Sequence, residues 1–204
     1  MSTKARTIFF FCGIGMAVSE LAKQLCLTFY VHPGIYEWWY LPFQLCSIPM
    51  YLCLILGLSK SHRVQELCRA FIASFGLLGG LLSFCDTSGF HYPVVWLTVH
   101  SYLWHILLIL LGIYAARQAD RTRCSFRAPA ILYLVLCCAA QLLDILIEDA
   151  GLGPINMFYI SLRYPMMQIG FAQLVPILGN AAVLLLYILL TILGAGLLYA
   201  LERP

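Results

Sequence analysis

The sequence predicts an all-α integral membrane protein, a bundle of about six transmembrane helices that forms a single domain over residues 1–204. Hydrophobic residues make up 62% of the chain and charged residues 10%. Soluble domains carry about 25% charged residues, so a soluble enzyme, a nucleic-acid-binding domain and a disordered chain are excluded. The apolar run Ala181–Leu201 is long enough for a membrane helix, which needs about 20 residues. A membrane β-barrel would instead show alternating strands.

The apolar stretches predict roughly six helices by this length rule, of which the third is short and the last is long. They are Thr7–Val31, Tyr40–Leu58, Ala70–Cys85, Val94–Ala115, Ala128–Ile147 and Leu174–Leu201. The first resembles a secretion signal, but Glu20, Lys23 and Gln24 stand where a cleavage site needs small residues, so we expect it to be retained. The apolar connection 148–173 is expected to dip back into the membrane, which is allowed only where protein shields its backbone.

The basic residues predict that both termini face the cytoplasm. They are found before the first helix, in the second and fourth connections and at the end of the chain: Lys4, Arg6, Lys60, Arg63, Arg69, Arg117, Arg121, Arg123, Arg127 and Arg203. The other three connections contain only Arg163. The positive-inside rule then puts the aromatic segment 36–40 at the outer interface, where aromatic belts belong.

Polar residues within the predicted helices gather in the outer half of the membrane. At about 1.5 Å per residue, Cys46 and His100 lie about 9 Å below the outer face, and Lys23, Glu20 and His105 about 12 to 16 Å below it. The other polar candidates on this side are Gln44, Asn156, Tyr159 and Arg163. Because polar groups are costly in a bilayer and mark functional sites, we expect one polar cavity open to the outside.

Cys46 has the sequence context of a reactive group. Pro49, one turn after it, removes a helical hydrogen bond and is expected to bend the backbone at the cysteine. A thiolate nucleophile needs a base, which a histidine on a neighbouring helix can supply. His100 and His105 are about 140° apart around their helix, which disfavours a shared haem. A packing role for Cys46 and a purely structural Glu20–Lys23 pair both stay open.

The segment LPFQLCS at 41–47 resembles the LPLHLCS signature of the bacterial YwaF-type integral membrane family. Further matches follow in collinear order over most of the chain: SELAKQ at 19–24, KSHR at 60–63, GLLGG at 76–80, GFHYP at 89–93, WHILLIL at 104–110 and NMFY at 156–159. Gln44 replaces a family histidine, whose role would be lost or taken by His100. The family also commonly has one more N-terminal helix.

That family is similar to eukaryotic transmembrane acyltransferases. The resemblance implies a bacterial cytoplasmic-membrane enzyme that moves a fatty acyl group between glycerophospholipids and lysophospholipids. The orientation predicted above puts its active site toward the outer side. It implies Cys46 as nucleophile and His105 as base, with no cofactor, metal or nucleic acid.

Acyl-transfer chemistry suggests roles for the surrounding residues. Gln44, Asn156 or Tyr159 would donate to the oxyanion, Glu20 would orient a histidine and Arg163 would meet the lipid phosphate. Lys23 and His100 are the other two residues that we expect to support catalysis or to bind substrate.

Other functions fit the same composition. A cysteine lipid hydrolase differs from a transferase only in its acceptor. A six-helix solute-binding transport subunit would use Glu20, Lys23, Asp144 and the histidines to hold a polar solute. A purely structural membrane protein would not need the outer clustering. Neither a G-x-S-x-G elbow nor an H-E-x-x-H motif occurs in the sequence.

Overall fold

The computed structural model describes residues 1–118 and 125–201, and within these ranges it is helical, with no strand. Five helical segments are long and apolar enough to cross a membrane, and a sixth apolar helix is shorter. The long segments are Thr3–Val31, His62–Leu82, Val95–Arg117, Arg127–Asp149 and Asn180–Leu201. The prediction of a helical membrane protein is therefore confirmed. Arg121, Arg123 and Arg203, which we used for the orientation, lie outside the described residues.

Helix α1 (Thr3–Cys26) continues into a π-helical turn at Leu27–Val31, which matches the first predicted span. Ser2 caps its start, because the Ser2 hydroxyl accepts a hydrogen bond from the amide of Ala5. Glycine allows α1 to approach the next helix closely. A Cβ atom added to Gly57 would lie 2.5 Å from that of Phe10. Small residues at such contacts are typical of membrane helix pairs.

Helix α2 (Ile48–Leu58) is much shorter than the predicted span Tyr40–Leu58, which is therefore wrong over its first part. Its 11 residues reach about 16 Å, roughly half the hydrocarbon thickness. Pro49 lies at the start of the helix, where a missing N–H is harmless, so the helix begins after Cys46 instead of bending there.

Residues 41–47 form an irregular loop, called the cysteine loop below. Its backbone is held by side chains of the surrounding helices: Trp104 donates to the carbonyl of Cys46 at 3.1 Å, and Tyr51 donates to that of Pro42 at 2.9 Å. Irregular backbone at membrane depth is tolerated where protein satisfies its polar groups in this way.

The third span consists of α3 (His62–Phe71), a π-helical turn at Ile72–Gly76 and α4 (Leu77–Leu82). It begins at His62 instead of the predicted Ala70. Arg69, which we assigned to a loop, is buried inside this helix. Its Nε donates to Glu66 at 3.0 Å and its Nη1 to the carbonyl of Ala115 at 3.2 Å. Because Arg69 and Glu66 form an ion pair, the helix can include these charged residues, which the sequence pattern had predicted to lie in a loop.

Helices α5 (Val95–Arg117) and α6 (Arg127–Asp149) follow the predicted fourth and fifth spans closely. The last predicted helix is interrupted. A short α7 (Val175–Leu178) ends at Gly179, whose φ of 79° only glycine adopts easily, and α8 (Asn180–Leu201) then runs to the end of the described chain.

Part of the connection between α6 and α7 is buried in the bundle, which is the shielding that a segment dipping into the membrane would need. Its residues Ile155, Met157 and Phe158 are buried, and the fully buried Asp144 of α6 accepts a hydrogen bond from the amide of Met157 at 2.8 Å. Phe158 and Tyr159 have φ angles of 56° and 58°. Left-handed backbone costs about 1–3 kcal/mol per residue outside glycine and persists where surrounding contacts enforce it.

Candidate functional site

A cavity of about 470 Å³ lies at the end of the bundle where α1 ends and α5 begins. Side chains of α1, α4, α5 and α8, the cysteine loop and the turn Met157–Tyr159 line it. Its volume is within the range of small-molecule pockets, about 300–1,000 Å³. Seven of the predicted site residues lie in this lining, and they are Glu20, Lys23, Gln44, Cys46, His100, His105 and Tyr159.

The cysteine loop holds Cys46 against α5. The Cys46 carbonyl accepts the hydrogen bond from Trp104, the residue just before His105. Burial raises the pKa of the Cys46 thiol, and the Lys23 ammonium acts in the opposite direction. At neutral pH the sulfur is therefore a thiol, which needs a base before it can act as a nucleophile.

His105 has a fixed orientation and a defined tautomer. Its Nδ1 lies 2.8 Å from the carbonyl oxygen of Ser101, and its ring stacks on Phe90 with centroids 4.4 Å apart. A carbonyl oxygen only accepts hydrogen bonds, so Nδ1 carries the proton and we assign Nε2 as the proton acceptor. This backbone carbonyl does the orienting that we expected of Glu20.

The sulfur and the imidazole share the cavity without a hydrogen bond between them. Among the described residues, none of the hydrogen bonds of Cys46 or His105 joins the one to the other. The distance between a catalytic base and the group that it deprotonates is often long before substrate binds and shortens in the complex. The two groups can also be joined through one water molecule. The structure therefore brings the two groups together in one cavity but does not pair them.

His100 is held on the α1 side of the cavity. The Ser19 hydroxyl donates to the carbonyl of Met16 at 2.9 Å, so at the 3.3 Å contact His100 Nε2 is the donor and the Ser19 oxygen the acceptor. The Nδ1 atom of His100 is buried without a partner in the described part of the chain. His100 thus presents an unused acceptor, and in the described structure it has no hydrogen bond to Cys46 or His105.

Glu20 and Lys23 form an ion pair on α1, with Nζ and Oε1 2.8 Å apart. Gln24 also donates to Glu20 Oε1 at 2.7 Å and to the carbonyl of Tyr40 at 2.7 Å. Neither histidine of α5 has a hydrogen bond to Glu20 in the described structure, so the orienting role that we predict for Glu20 has no hydrogen bond to support it.

Gln44 clamps the cysteine loop to the α6–α7 connection. Its side-chain nitrogen donates to the carbonyl of Asn156 at 3.0 Å, and its oxygen accepts from the amide of Phe158 at 2.8 Å. This bidentate contact connects Gln44 to residues that are 112 and 114 positions away in the sequence. Gln44 therefore has a positioning role in place of the oxyanion role that we predicted.

Two predicted residues do not reach the cavity. Asn156 is buried outside its lining, and its side-chain oxygen accepts from the amide of Ser161 at 3.0 Å. Arg163 pairs with Glu148 at 3.1 Å and with Asp149 at 2.6 Å, away from the lining. The carboxylates capture the guanidinium, so neither the oxyanion role of Asn156 nor the phosphate role of Arg163 fits its position.

Tyr159 and Tyr92 supply phenol donors to the cavity. Burial is the main reason that the pKa of each is raised to about 12, so both stay protonated at neutral pH. Tyr159 was predicted from the sequence, whereas Tyr92, Ser101 and Phe90 were not assigned roles. The segment GFHYP that contains Phe90 and Tyr92 was the available signal. Among the described residues, no group of three His, Cys, Asp or Glu side chains is arranged to hold a metal ion.

Comparisons with known proteins do not identify a relative. No family model, curated protein or solved structure matches this chain. The resemblance to the YwaF-type family therefore stays a prediction, and the function has to be argued from the site itself.

Proposed function

We propose that this protein is a membrane-embedded lipid acyltransferase that moves a fatty acyl group from a glycerophospholipid to a lysophospholipid through an acyl-cysteine at Cys46. The supporting observation is that Cys46 lines the same cavity as His105, whose Nδ1 proton is held by a carbonyl. That arrangement leaves Nε2 free to accept a proton. The YwaF-type resemblance points to the same pair.

In the proposed reaction, His105 Nε2 accepts the proton of the Cys46 thiol, and the thiolate attacks an ester carbonyl of the donor lipid. Tyr159 and Tyr92 donate to the oxyanion. The tetrahedral intermediate expels the lysolipid oxygen, which takes the proton back from the imidazolium. The acceptor hydroxyl then gives its proton to His105 and attacks the thioester. The departing thiolate recovers that proton.

The proposal includes an orientation in the membrane. Both termini face the cytoplasm of a bacterial cell, and the cavity opens toward the outer side of the cytoplasmic membrane. The distribution of Lys and Arg supports this assignment. The aromatic segment 36–40, next to the cavity, supports it as well, because aromatic side chains favour membrane interfaces.

A solute-binding transport subunit is the second candidate, and the Glu20–Lys23 pair favours it because a charged pair in a cavity suits a polar solute. A cysteine lipid hydrolase is the third, since water can replace the lysolipid acceptor. The three candidates differ in product: a new diacyl lipid, a free fatty acid, or a bound solute with no lipid turnover.

The test uses purified protein in lipid nanodiscs with an isotope-labelled diacyl phospholipid and an unlabelled lysophospholipid. We expect the label to appear in the acceptor lipid with the native chain and with Cys138→Ala, a cysteine on the exposed face of α6. Cys46→Ala should abolish transfer. Release of free fatty acid alone would indicate the hydrolase. Transfer that survives in Cys46→Ala would contradict the proposal.

A further inference from the structure

The ion pair Glu20–Lys23 has a position that a simple structural pair does not need. Glu20 is 4% exposed and belongs to the cavity lining together with Lys23. Hydrogen bonds from both Lys23 and Gln24 end on Glu20 Oε1, so the carboxylate has capacity for a further donor. An ammonium likewise has three hydrogens to donate.

Aromatic rings lie beside this pair. The rings of Tyr40 and Tyr92 have centroids 5.7 Å apart, and both residues line the cavity with Trp39. Burial chiefly raises the pKa of Tyr92, and the Glu20 carboxylate adds to the rise. Burial also raises the pKa of Tyr40, which Lys23 lowers in part. The two charges of the pair and both phenols thus line the same cavity.

We infer that Glu20, Lys23 and the rings of Tyr40 and Tyr92 form a headgroup subsite for a zwitterionic glycerophospholipid. The phosphate contacts Lys23, and the cationic amine contacts Glu20 and the aromatic faces. The Glu20–Lys23 pair carries two opposite charges and no net charge. It therefore complements a zwitterionic headgroup better than a headgroup with a net negative charge.

The subsite is next to the proposed nucleophile. Lys23 and Glu20 line the same cavity as Cys46, so a headgroup bound to them would bring the glycerol esters of the same lipid into the cavity that holds Cys46. The inference thereby deepens the proposed acyl transfer by naming its substrate class. It also assigns the phosphate role to Lys23, since Arg163 is held by carboxylates outside the cavity.

The experiment measures binding without turnover, in the full chain with Cys46→Ala. Detergent-solubilised protein is mixed with equal amounts of phosphatidylcholine, phosphatidylethanolamine and phosphatidylglycerol with identical acyl chains, and bound lipids are counted by native mass spectrometry. We expect the two zwitterionic lipids to be bound about tenfold more tightly than phosphatidylglycerol.

The decisive variant exchanges the charges, Glu20→Lys together with Lys23→Glu. It keeps the ion pair and reverses its direction, so a structural pair would leave lipid preference unchanged, whereas the proposed subsite would lose it. Asp149→Asn, which breaks an exposed ion pair outside the cavity, should retain the preference. Tyr40→Leu provides a second variant without a charge change, and it should weaken binding of phosphatidylcholine several-fold because it removes one aromatic face of the subsite.

A native preference for phosphatidylglycerol, no preference, or a preference that survives the charge exchange would each overturn the inference. If the preference holds while Cys46-dependent transfer is absent, the headgroup subsite stands and the acyltransferase proposal fails. If transfer depends on Cys46 while no lipid preference exists, the acyltransferase proposal stands and the headgroup subsite fails.

Discussion

A single hydrogen bond to the backbone fixes the tautomer of His105 that a general base needs. The Ser101 carbonyl fixes the protonated nitrogen, and Phe90 fixes the plane of the ring. No carboxylate is needed, because a carbonyl acceptor one helical turn away selects the same tautomer. His100, five residues earlier on α5, instead donates to Ser19 and is directed toward α1.

We therefore predict that His105→Gln lowers the transfer rate by about 10²–10⁴-fold, the usual contribution of a general base. His100→Gln should lower it much less, since the hydrogen bond of His100 in the described structure goes to Ser19 and not to Cys46. The measurement is single-turnover acyl transfer in nanodiscs, with circular dichroism confirming the helical content of both variants. Equal losses in the two variants would contradict the assignment of the base.

The cysteine loop is the element that the sequence predicted least well. Its apolar composition and the nearby prolines indicated a helix from Tyr40, whereas α5, a long apolar run, was predicted almost to the residue. The loop conformation depends on partners far away in sequence, such as Trp104 and the 156–158 backbone. Composition within a window cannot reveal such contacts, although Cys46 and His105 were chosen correctly as cavity residues.

The same contacts predict the effect of Gln44→Leu. This change leaves the buried carbonyl of Asn156 and amide of Phe158 without their partner, which costs about 1–3 kcal/mol for each unsatisfied group. We expect a lower thermal unfolding midpoint in a fluorescence-based melt, and reduced transfer because Tyr159 loses its support. The exposed Gln173→Leu is the matched control and should melt like the native protein. An unchanged midpoint for Gln44→Leu would show that the clamp is not stabilising.

Helix α4 presents one face to the cavity through Gly79. A Cβ added there would meet only Leu45, at 4.0 Å, while one added to the neighbouring Gly80 would lie 3.0 Å from Ile109 of α5. The lining near Gly79 is apolar and includes Leu78 and Leu82. This part of the cavity suits an acyl chain.

Gly79→Leu should therefore shorten the acyl chain that the protein transfers. A chain that must share this space with the added side chain is overpacked, which costs about 1–3 kcal/mol, or about 5- to 150-fold in relative rate for the longest donors. The measurement is competition between donor lipids of different chain length. Gly15→Leu, at a site on α1 with nothing within 4 Å, should leave the selectivity unchanged. A loss that is equal for all chain lengths would contradict an acyl-chain role for this face.

At the scale of the whole molecule, the two ends of the bundle differ in chemistry. One end carries the cavity and the aromatic segment 36–40. The other carries Arg6, which donates to the carbonyls of Gly57 and Ser59 at the end of α2, and the buried pair Arg69–Glu66. Basic groups also serve packing and helix ends, which is why their positions predict an orientation in the membrane but do not predict the helix boundaries.

The orientation is testable through cysteine accessibility. Cys85 is exposed at the cavity end, and Ser61 is exposed at the opposite end between α2 and α3. In intact cells, a membrane-impermeant maleimide should label native Cys85 but should label Ser61→Cys only after permeabilisation, as peptide mass spectrometry can show. The reverse pattern would place the cavity on the cytoplasmic side.

The central claim is that Cys46 carries the acyl group between two lipids. The most direct measurement is the mass of the intact protein, followed by peptide mapping, after rapid mixing with a diacyl phospholipid without acceptor. We predict an added mass of one fatty acyl group on the peptide that contains Cys46, which neutral hydroxylamine removes and added lysolipid discharges. Turnover without such an adduct, or the same adduct in Cys46→Ala, would contradict the account.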